Sequence, residues 1–365
     1  MATTSTNTIN FTLGATIDQC ARLITTIGAD ITPIIISEPG VGKSTILKMI
    51  EESYGDQFDY IYVDCPVKDM MDIAASIPNH TTKALEYYVS SLFKLTGPTA
   101  NKPKVIMLDE FMKAPKLLQI IFTRLMLERM VGDVALPVGS IVFGTSNNVT
   151  DGVGDAMMGH VGNRVCKVSM RKPSPEQWLG WANREGIARA IRAWVAMTPK
   201  VMASYLDGNQ TDNPYIFNPK NVGVQFASPR SLAKAHSIVT NKDVLGEDLM
   251  MTALAGTIGE AAARAMSAFI SLEGKLMPLA EILKNPGTCT VPDDISVLLM
   301  MMMSAIDTID NQEDLSSYME FVNRIKSGEL VQSIFFSMIM RNRPKLGSRN
   351  KQIQAWASAN FALMG

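Results

Sequence analysis

The stretch that decides the fold is Thr32-Pro-Ile-Ile-Ile-Ser-Glu-Pro-Gly-Val-Gly-Lys-Ser-Thr45. Its three consecutive isoleucines predict a short buried strand, and a helical pattern begins where the stretch ends. Between the two, Gly40 and Gly42 let backbone N–H groups turn toward an anion, and the start of a helix favours negative charge. Lys43 adds a cation, and the Ser44 hydroxyl is a ligand type that suits Mg²⁺. The order of strand, glycine loop and helix therefore predicts a phosphate-binding loop.

This loop departs from the full phosphate-loop pattern at one position, where Ser37 replaces a glycine. The departure affects the turn that enters the loop, whereas the core Gly-x-Gly-Lys-Ser is intact. We expect the nucleotide to contact Ser37, Glu38, Pro39, Gly40, Val41, Gly42, Lys43, Ser44 and Thr45, together with Asp109.

A second stretch, Val105-Ile-Met-Leu-Asp109-Glu110, has four apolar residues followed by two carboxylates. This is the form of a Walker B strand. It predicts that Asp109 and Ser44 hold Mg²⁺ and that Glu110 orients and polarises the attacking water. An acid at the end of one strand is weak evidence alone, but its position after the glycine loop strengthens it. The pair predicts hydrolysis of a nucleoside triphosphate, with ATP and Mg²⁺ as cofactors.

The next apolar strand ends in Phe143-Gly-Thr-Ser-Asn147-Asn148. A polar side chain between the glycine loop and the Walker B strand can hold water near the terminal phosphate. We predict that Asn147 does so, with its neighbour Asn148 as the alternative.

The chain has two halves with different patterns. Short apolar runs at 32–37, 60–63, 104–109, 140–144 and 166–170 predict strands, with helices at about 44–53 and 117–130. Near-continuous apolar strands alternating with helices indicate a parallel sheet covered on both faces. After residue 173 the pattern is helical throughout, at 175–184, 187–205, 229–239, 247–272, 276–283, 294–309, 315–326 and 329–341. We predict an α/β domain over 1–172 and a helical domain over 173–365.

Composition narrows the function classes. The 365 residues include 34 Lys and Arg against 35 Asp and Glu, and 47% are hydrophobic, so disorder and a generally basic surface are excluded. The longest apolar run has seven residues, at 297–303, too few to cross a membrane. Four cysteines without a close pair and three scattered histidines give no metal motif. No secretion signal is evident, so we expect a cytoplasmic protein, in the host cytoplasm if a phage encodes it.

Together these motifs resemble AAA+ ATPases of the MoxR or dynein-related branch. Residues 128–137 resemble the family's helix-to-hairpin stretch, and Gly162-Asn-Arg164 resembles its arginine-finger element. The segments 178–182 and 226–230 resemble those around the junction with the lid, and 254–262 resembles a lid helix. The family's finger is often followed by Phe, whereas Val165 stands here.

The resemblance implies a P-loop NTPase (AAA+) parallel-sheet core followed by an all-helical lid and C-terminal helices. It implies that Arg164 reaches the γ-phosphate of an adjacent subunit and that Arg230 contacts nucleotide within its own subunit. With Glu110 and Asn147, these arginines form the expected catalytic set. A homohexameric ring is the family's usual form, and its MoxR members act in a chaperone-like way, often with a von Willebrand factor A domain partner.

Two other functions stay open at this point. One is a nucleic-acid motor or loader of the replication, helicase or packaging type, which the near-neutral charge makes less favourable but does not exclude. The other is a nucleotide-gated scaffold, against which Glu110 argues.

Residues 69–94 are a candidate substrate-facing surface, in which we expect Tyr87, Tyr88 and Phe93 to pack inward. Five cations within 341–351 favour a solvated tail or an acidic-partner contact over nucleic-acid binding, which stays open as the alternative.

Overall fold

The computed structural model describes residues 14–148, 163–210, 212–272, 276–325 and 329–359. The chain divides into two compact units on either side of the Lys172–Pro173 bond. In these ranges every strand belongs to the first unit, whereas the second consists of helices and loops.

The first unit contains a five-stranded parallel sheet. In chain order, the strands of the described residues are β1 (Pro33–Ser37), β2 (Asp59–Asp64), β3 (Ala74–Asn79), β4 (Ala84–Val89), β5 (Lys104–Asp109), β6 (Met130–Val131), β7 (Val134–Ala135), β8 (Ile141–Asn147) and β9 (Cys166–Ser169). The sheet has the order β2-β5-β8-β1-β9, and all its pairings are parallel. Every residue of β5 and β8 is buried, which is why their sequences read as continuous rather than alternating apolar runs. The predicted fold class is confirmed.

Helices cover both faces of this sheet. They are α1 (Ile17–Ile27), α2 (Thr45–Tyr54) and α3 (Lys116–Glu128). Alternate residues of β5 point to opposite faces, so Val105 and Met107 pack with α1 and α2, whereas Ile106 and Leu108 pack with α3. Two separate apolar layers therefore hold the sheet rigidly in place.

The topology brings the polar ends of three neighbouring strands to one edge. Strand β1 ends at Ser37, β8 at Asn147 and β5 at Asp109, and Ser37 lies directly opposite Asn147 in the β1–β8 pairing. Because parallel strands share one direction, residues that are far apart in sequence meet at this carboxyl edge.

Between β2 and β5 the chain forms an antiparallel hairpin of β3 and β4. None of the twelve residues in the two strands is buried. Phe93 is fully buried, as expected, but Tyr87 and Tyr88 are 47% and 59% exposed, so the expectation that they pack inward is wrong. A two-stranded ribbon can bury an aromatic ring only if another layer covers that face.

The second unit is all helical in its described parts. Its helices are α4 (Pro175–Arg184), α5 (Arg189–Met197), α6 (Pro229–Thr240), α7 (Lys242–Ile258), α8 (Glu260–Ile270), α9 (Leu279–Lys284), α10 (Ile295–Thr308), α11 (Gln312–Asn323), α12 (Glu329–Asn342), α13 (Pro344–Gly347) and α14 (Lys351–Ala359). One apolar core joins most of them, and it includes all four methionines of 300–303. Within the described ranges, no helix is both long and apolar enough to cross a lipid bilayer.

Two predicted helices of this unit are broken. The segment 187–205 is helical only to Met197, because Pro199 lacks the N–H that a continuing helix needs and starts a short 3-10 turn instead. The segment 247–272 divides at Gly259, whose φ of +86° favours glycine. A Cβ at this position would lie 2.4 Å from the carbonyl oxygen of Gln225, so the chain requires glycine at the break.

Candidate active site

The glycine loop leads from β1 into α2 at the carboxyl edge of the sheet. Gly40 and Gly42 have φ values of +77° and +101°, which turn the backbone sharply before the helix. Ser44 occupies the position that would cap α2, but its side chain makes no capping hydrogen bond. Its Oγ instead donates to Asp109 Oδ2 at 3.4 Å, which joins the loop to the end of β5.

Lys43 is 4% exposed and lies across the ends of β1 and β8. Its Nζ donates to Asn147 Oδ1 at 2.6 Å, to Ser37 Oγ at 3.1 Å and to the carbonyl oxygen of Glu38 at 3.3 Å. Ser37 thus contributes a hydroxyl acceptor where the usual pattern has no side chain. These three acceptors are neutral oxygens, so a phosphate oxygen can replace one of them without separating opposite charges.

Hydroxyl groups surround Asp109. Its Oδ2 accepts from Tyr62 at 2.8 Å and from Ser44, and its Oδ1 accepts a short hydrogen bond from Thr145 Oγ1. Asp109 is 7% exposed, so a nearly buried carboxylate is held by neutral donors. A hard divalent cation such as Mg²⁺ binds carboxylate and hydroxyl oxygens, and Asp109 with Ser44 fits that preference.

Glu110 has an unusual backbone for a residue with a side chain, with φ of +53° in the left-handed region. Its N–H donates to Thr145 Oγ1 at 3.3 Å. Its carboxylate lies 2.8 Å from Lys113 Nζ and accepts from Asn147 Nδ2 at 3.4 Å. The turn thus directs Glu110 toward Asn147 instead of continuing the strand, and such strain is common at functional sites.

The two ends of the Asn147 amide connect these groups. Its oxygen accepts from Lys43 and its nitrogen donates to Glu110, so one side chain lies between the phosphate-loop lysine and the second carboxylate. Asn148, the alternative, is half-buried directly after β8. The structure therefore places Asn147 in the contact network, while its predicted role in holding water remains a prediction.

Sequence reasoning missed three residues of this network: Tyr62, Lys113 and Thr145. A sequence signal for Thr145 exists: it lies two residues before Asn147 on β8 and thus on the same face of the strand. Lys113 follows Glu110 by three residues in a single 3-10 turn. Tyr62 carries no local signal, because only the β2–β5 pairing brings it to Asp109.

The remaining predicted residues lie in three places. Glu38 and Val41 are buried in the loop, beside Pro39, and Thr45 begins α2. Arg164 is exposed in the turn before β9, and Gly162 of the same motif lies outside the described residues. Arg230 is the second residue of α6 and is exposed on the helical unit.

Cys65, a cysteine near the site, is unreactive. Cys65 follows β2, is fully buried and donates weakly to the carbonyl oxygen of Val63 at 3.6 Å. Burial raises the pKa of its thiol far above the usual range, and the negative charges of Asp109 and Asp64 raise it further. Cys65 therefore stays a neutral thiol, and thiolate chemistry at this edge is disfavoured.

Sequence comparison finds no matching protein-family model and no matching curated protein. Several solved structures are similar to this chain. A candidate ATPase from Cytophaga hutchinsonii is 14% identical, with 86% of this chain and 87% of that chain covered and a TM-score of 0.34. The RuvB Holliday junction branch migration motor of Thermotoga maritima is 12% identical, with 74% of each chain covered and a TM-score of 0.35. NtrX of Brucella abortus, solved in complex with ATP, is 11% identical over 96% of this chain and 68% of that chain, with a TM-score of 0.37.

Similarity at this level does not indicate a function, whereas the chain's own residues do. The glycine loop between β1 and α2, the acidic end of β5 and the strand order β2-β5-β8-β1-β9 are all observed directly. The first unit therefore has the parallel α/β fold of a P-loop NTPase, and a helical region follows it in the sequence.

Proposed function

We propose that this chain is a Mg²⁺-dependent ATPase of the MoxR branch of AAA+ proteins, which acts as a ring to remodel or assemble a protein partner. One observation carries the ATPase assignment. Lys43, Asp109, Glu110 and Asn147 come from three separate segments, yet hydrogen bonds through the hydroxyls of Thr145 and Ser44 join them into one network at the carboxyl edge of the sheet.

The loop and Lys43 bind the triphosphate in this proposal. Backbone N–H groups around Gly40 and Gly42 face the phosphate oxygens, and Lys43 exchanges one of its neutral acceptors for a terminal phosphate oxygen. Ser44 and Asp109 would hold Mg²⁺, which when bound neutralises charge on the phosphates. The bound nucleotide is thus oriented by groups that two packed faces of the sheet keep in place.

Glu110 acts on the attacking water. Its carboxylate can accept a hydrogen bond from that water and draw the proton away as the new P–O bond forms. Asn147 and Lys113 already fix the direction of this carboxylate, at 3.4 Å and 2.8 Å. We assign to Asn147 the positioning of the same water from the side of the terminal phosphate.

The ring is proposed from the resemblance to MoxR proteins. Arg164 would stabilise the γ-phosphate held by an adjacent subunit, and Arg230 would contact the nucleotide of its own subunit. The exposure of both side chains is compatible with these roles. A hexamer with a von Willebrand factor A domain partner is the assembly that this resemblance implies.

The ATPase assignment is tested by nucleotide binding and turnover. Lys43→Ala should lose ATP binding, because the cation that contacts the terminal phosphates is gone. Lys48→Ala is the matched control, since Lys48 lies one turn further along α2 and is exposed beside Glu52. Equal ATP affinity in the two variants would contradict the assignment. Turnover stimulated by DNA, but by no protein partner, would favour a nucleic-acid motor instead.

The trans role of Arg164 is tested by mixing two inactive variants. Arg164→Ala lacks the finger, and Glu110→Gln lacks the group that activates water. A mixed ring contains interfaces in which Glu110 of one subunit meets Arg164 of the other, so part of the activity should return. If Arg164→Ala alone hydrolyses ATP at the normal rate, the finger lies elsewhere, with Arg171 and Arg124 as the next candidates.

A further inference from the structure

A cleft of about 550 Å³ opens in the second unit, beside the break between α5 and the 3-10 turn that begins at Pro199. The end of α5, this turn, one face of α8 and the start of α10 line the cleft, together with Tyr215. A volume of this size suits a small organic molecule. All of the lining residues belong to the helical unit, so the cleft is formed within one compact unit.

The side of the cleft formed by α8 is apolar. Ala265, Ala268, Phe269 and Leu272 have the i, i+3, i+4, i+7 spacing of one helix face, with Leu272 just past the end of α8. Phe269 is buried, whereas Ala265 and Leu272 are half-buried and Ala268 is exposed. The two small alanine side chains leave room beside Phe269 that other side chains of the unit do not fill.

Two aromatic rings extend this apolar surface. The ring centroids of Trp194 and Tyr215 lie 5.9 Å apart, and the rings are nearly perpendicular at 82°, which is an edge-to-face arrangement that aromatic pairs prefer. Trp194 is 2% exposed, so its fixed ring holds that of Tyr215, which is half-buried and lines the cleft. A flat ring of a ligand can pack against such a wall through the same kind of contact.

Lys200 supplies the charge of this cleft. It is exposed, and its Nζ lies 5.0 Å from the centroid of the Tyr215 ring, where a cation–π interaction holds the ammonium beside the aromatic wall. Among the described residues that line the cleft, Lys200 is the one charged side chain, and none is Asp or Glu. A positive charge next to an apolar surface favours a ligand that has an apolar body and one negative charge.

Ser296 supplies a hydroxyl donor to the same cleft. It is 8% exposed, and its Oγ donates to the sulfur of Met197 at 3.0 Å. A thioether sulfur is a weak acceptor, whereas a carboxylate oxygen is a strong one. An anionic oxygen that enters the cleft can therefore replace the sulfur as the acceptor of this hydrogen bond with a gain in interaction energy.

We propose that this cleft binds a small aromatic carboxylate. The ring of the ligand packs against the α8 face and Tyr215, and its carboxylate pairs with the ammonium of Lys200 and accepts from the Ser296 hydroxyl. A cationic ligand is disfavoured, because Lys200 already lies over the ring that would receive the cation. The inference does not depend on the proposed ATPase activity, since every residue that carries it lies in the helical unit.

The test is isothermal titration of the full chain with 3-phenylpropionate and, separately, with its uncharged analogue 3-phenylpropanamide. The wild type should bind the carboxylate more tightly than the amide. Lys200→Gln should weaken binding of the carboxylate about fivefold, the upper range for an exposed ion pair, and leave the affinity for the amide within about twofold. Lys220→Gln is the matched control, because Lys220 is exposed in the loop that follows Tyr215 and does not line the cleft. It should change neither affinity by more than about twofold.

A second variant tests the apolar part of the cleft. Ala265→Leu fills the space beside Phe269 and should weaken binding of both ligands at least about tenfold, whereas Ala261→Leu, at a half-buried position one turn earlier on α8, should not. Thermal melting shows that each variant is folded. Lys200 is exposed, so its variant decides the question even if a filled cleft destabilises the unit. Equal affinity of the wild type for the two ligands, or equal affinity of Lys200→Gln and Lys220→Gln for the carboxylate, overturns the proposal.

Discussion

The two ends of strand β5 hold buried charge in different ways. At the amino end, Lys104 is fully buried, and its Nζ lies 2.7 Å from the carboxylate of Asp59, where opposite charges neutralise each other. At the carboxyl end, Asp109 is held by the hydroxyls of Ser44, Tyr62 and Thr145. The charge at the amino end is thus neutralised by another side chain, whereas the carboxylate at the carboxyl end can still bind a cation.

The two ends of this six-residue strand therefore have different roles: the amino end stabilises the sheet, and the carboxyl end belongs to the candidate active site. An ion pair such as Asp59 and Lys104 holds two strands together. Removal of one partner leaves the other charge buried and unpaired, which destabilises the fold. Hydroxyl donors orient a carboxylate without cancelling its charge. We therefore expect substitutions at the amino end to change stability, and substitutions at the carboxyl end to change catalysis.

The largest stability effect is expected for Asp59→Asn. It leaves the buried ammonium of Lys104 without its carboxylate, and Lys102 lies only 3.6 Å from the same carboxylate. We expect a loss of about 3–5 kcal/mol in the free energy of unfolding, measured by urea denaturation. Asp56→Asn, at an exposed position before β2, is the control and should lose less than about 0.5 kcal/mol.

The same pair gives a pH dependence. Burial alone would raise the pKa of Asp59, but hydrogen bonds and positive charges from Lys104 and its neighbours lower it below the usual value. Because the folded pKa is depressed, the stabilisation is complete above the unfolded pKa of about 4 and is lost as pH falls through the folded value. The stability difference between wild type and Asp59→Asn should thus be constant from pH 7 to about pH 5 and shrink below about pH 4. A constant difference down to pH 2 would contradict this account.

A smaller effect, on catalysis, is expected for Thr145→Val. The hydroxyl of Thr145 accepts from the N–H of Glu110 and donates to Asp109, so it positions both carboxylates at once. Its loss should lower kcat about 10- to 100-fold, since a hydrogen bond to a charged group is worth about 1.5–3 kcal/mol. Steady-state ATPase assays measure this loss. Thr145→Ser keeps the hydroxyl and should keep most of the activity; equal losses in the two variants would show a packing effect instead.

The smallest effect is expected for Tyr62→Phe. Tyr62 is 46% exposed, and its hydroxyl donates to the same oxygen, Asp109 Oδ2, as the hydroxyl of Ser44. We expect kcat to fall about twofold to tenfold, with a shift in the Mg²⁺ concentration that gives half-maximal rate. A Mg²⁺ titration of the ATPase rate measures both. Tyr60→Phe on the same strand is the control, because the Tyr60 hydroxyl donates to the carbonyl of Gly55 instead.

Sequence predicted the sheet well because its signals are local. Each strand of the parallel sheet is a short apolar run, and the polar residues that follow β1, β5 and β8 mark the edge where they meet. The contacts of Tyr62 with Asp109 depend on strand pairing over 47 residues, which no local pattern records. Tyr87 and Tyr88 lie on a hairpin whose twelve strand residues all keep some exposure, and composition does not predict this.

The helical unit was harder to predict for a related reason. Apolar spacing at 187–205 and 247–272 continues across breaks, so periodicity alone joins helices that Pro199 and Gly259 separate. The break at Pro199 can be predicted from sequence, since proline rarely continues a helix. The break at Gly259 cannot, because the need for glycine comes from the carbonyl oxygen of Gln225, which only the folded structure brings close. The roles of Arg164 and Arg230 remain predictions, because they concern contacts beyond a single folded unit.

The measurement that tests the central claim most directly is ATP binding and turnover by Glu110→Gln. This substitution keeps the size of the side chain and its approach to Asn147 but removes the carboxylate that activates water. We expect ATP to bind with wild-type affinity while kcat falls at least about 100-fold, as for loss of a general base. Filter binding of labelled ATP, followed over the same period as phosphate release, would show a stable ATP complex. Normal phosphate release by Glu110→Gln would contradict the assignment of this sheet edge as the catalytic site.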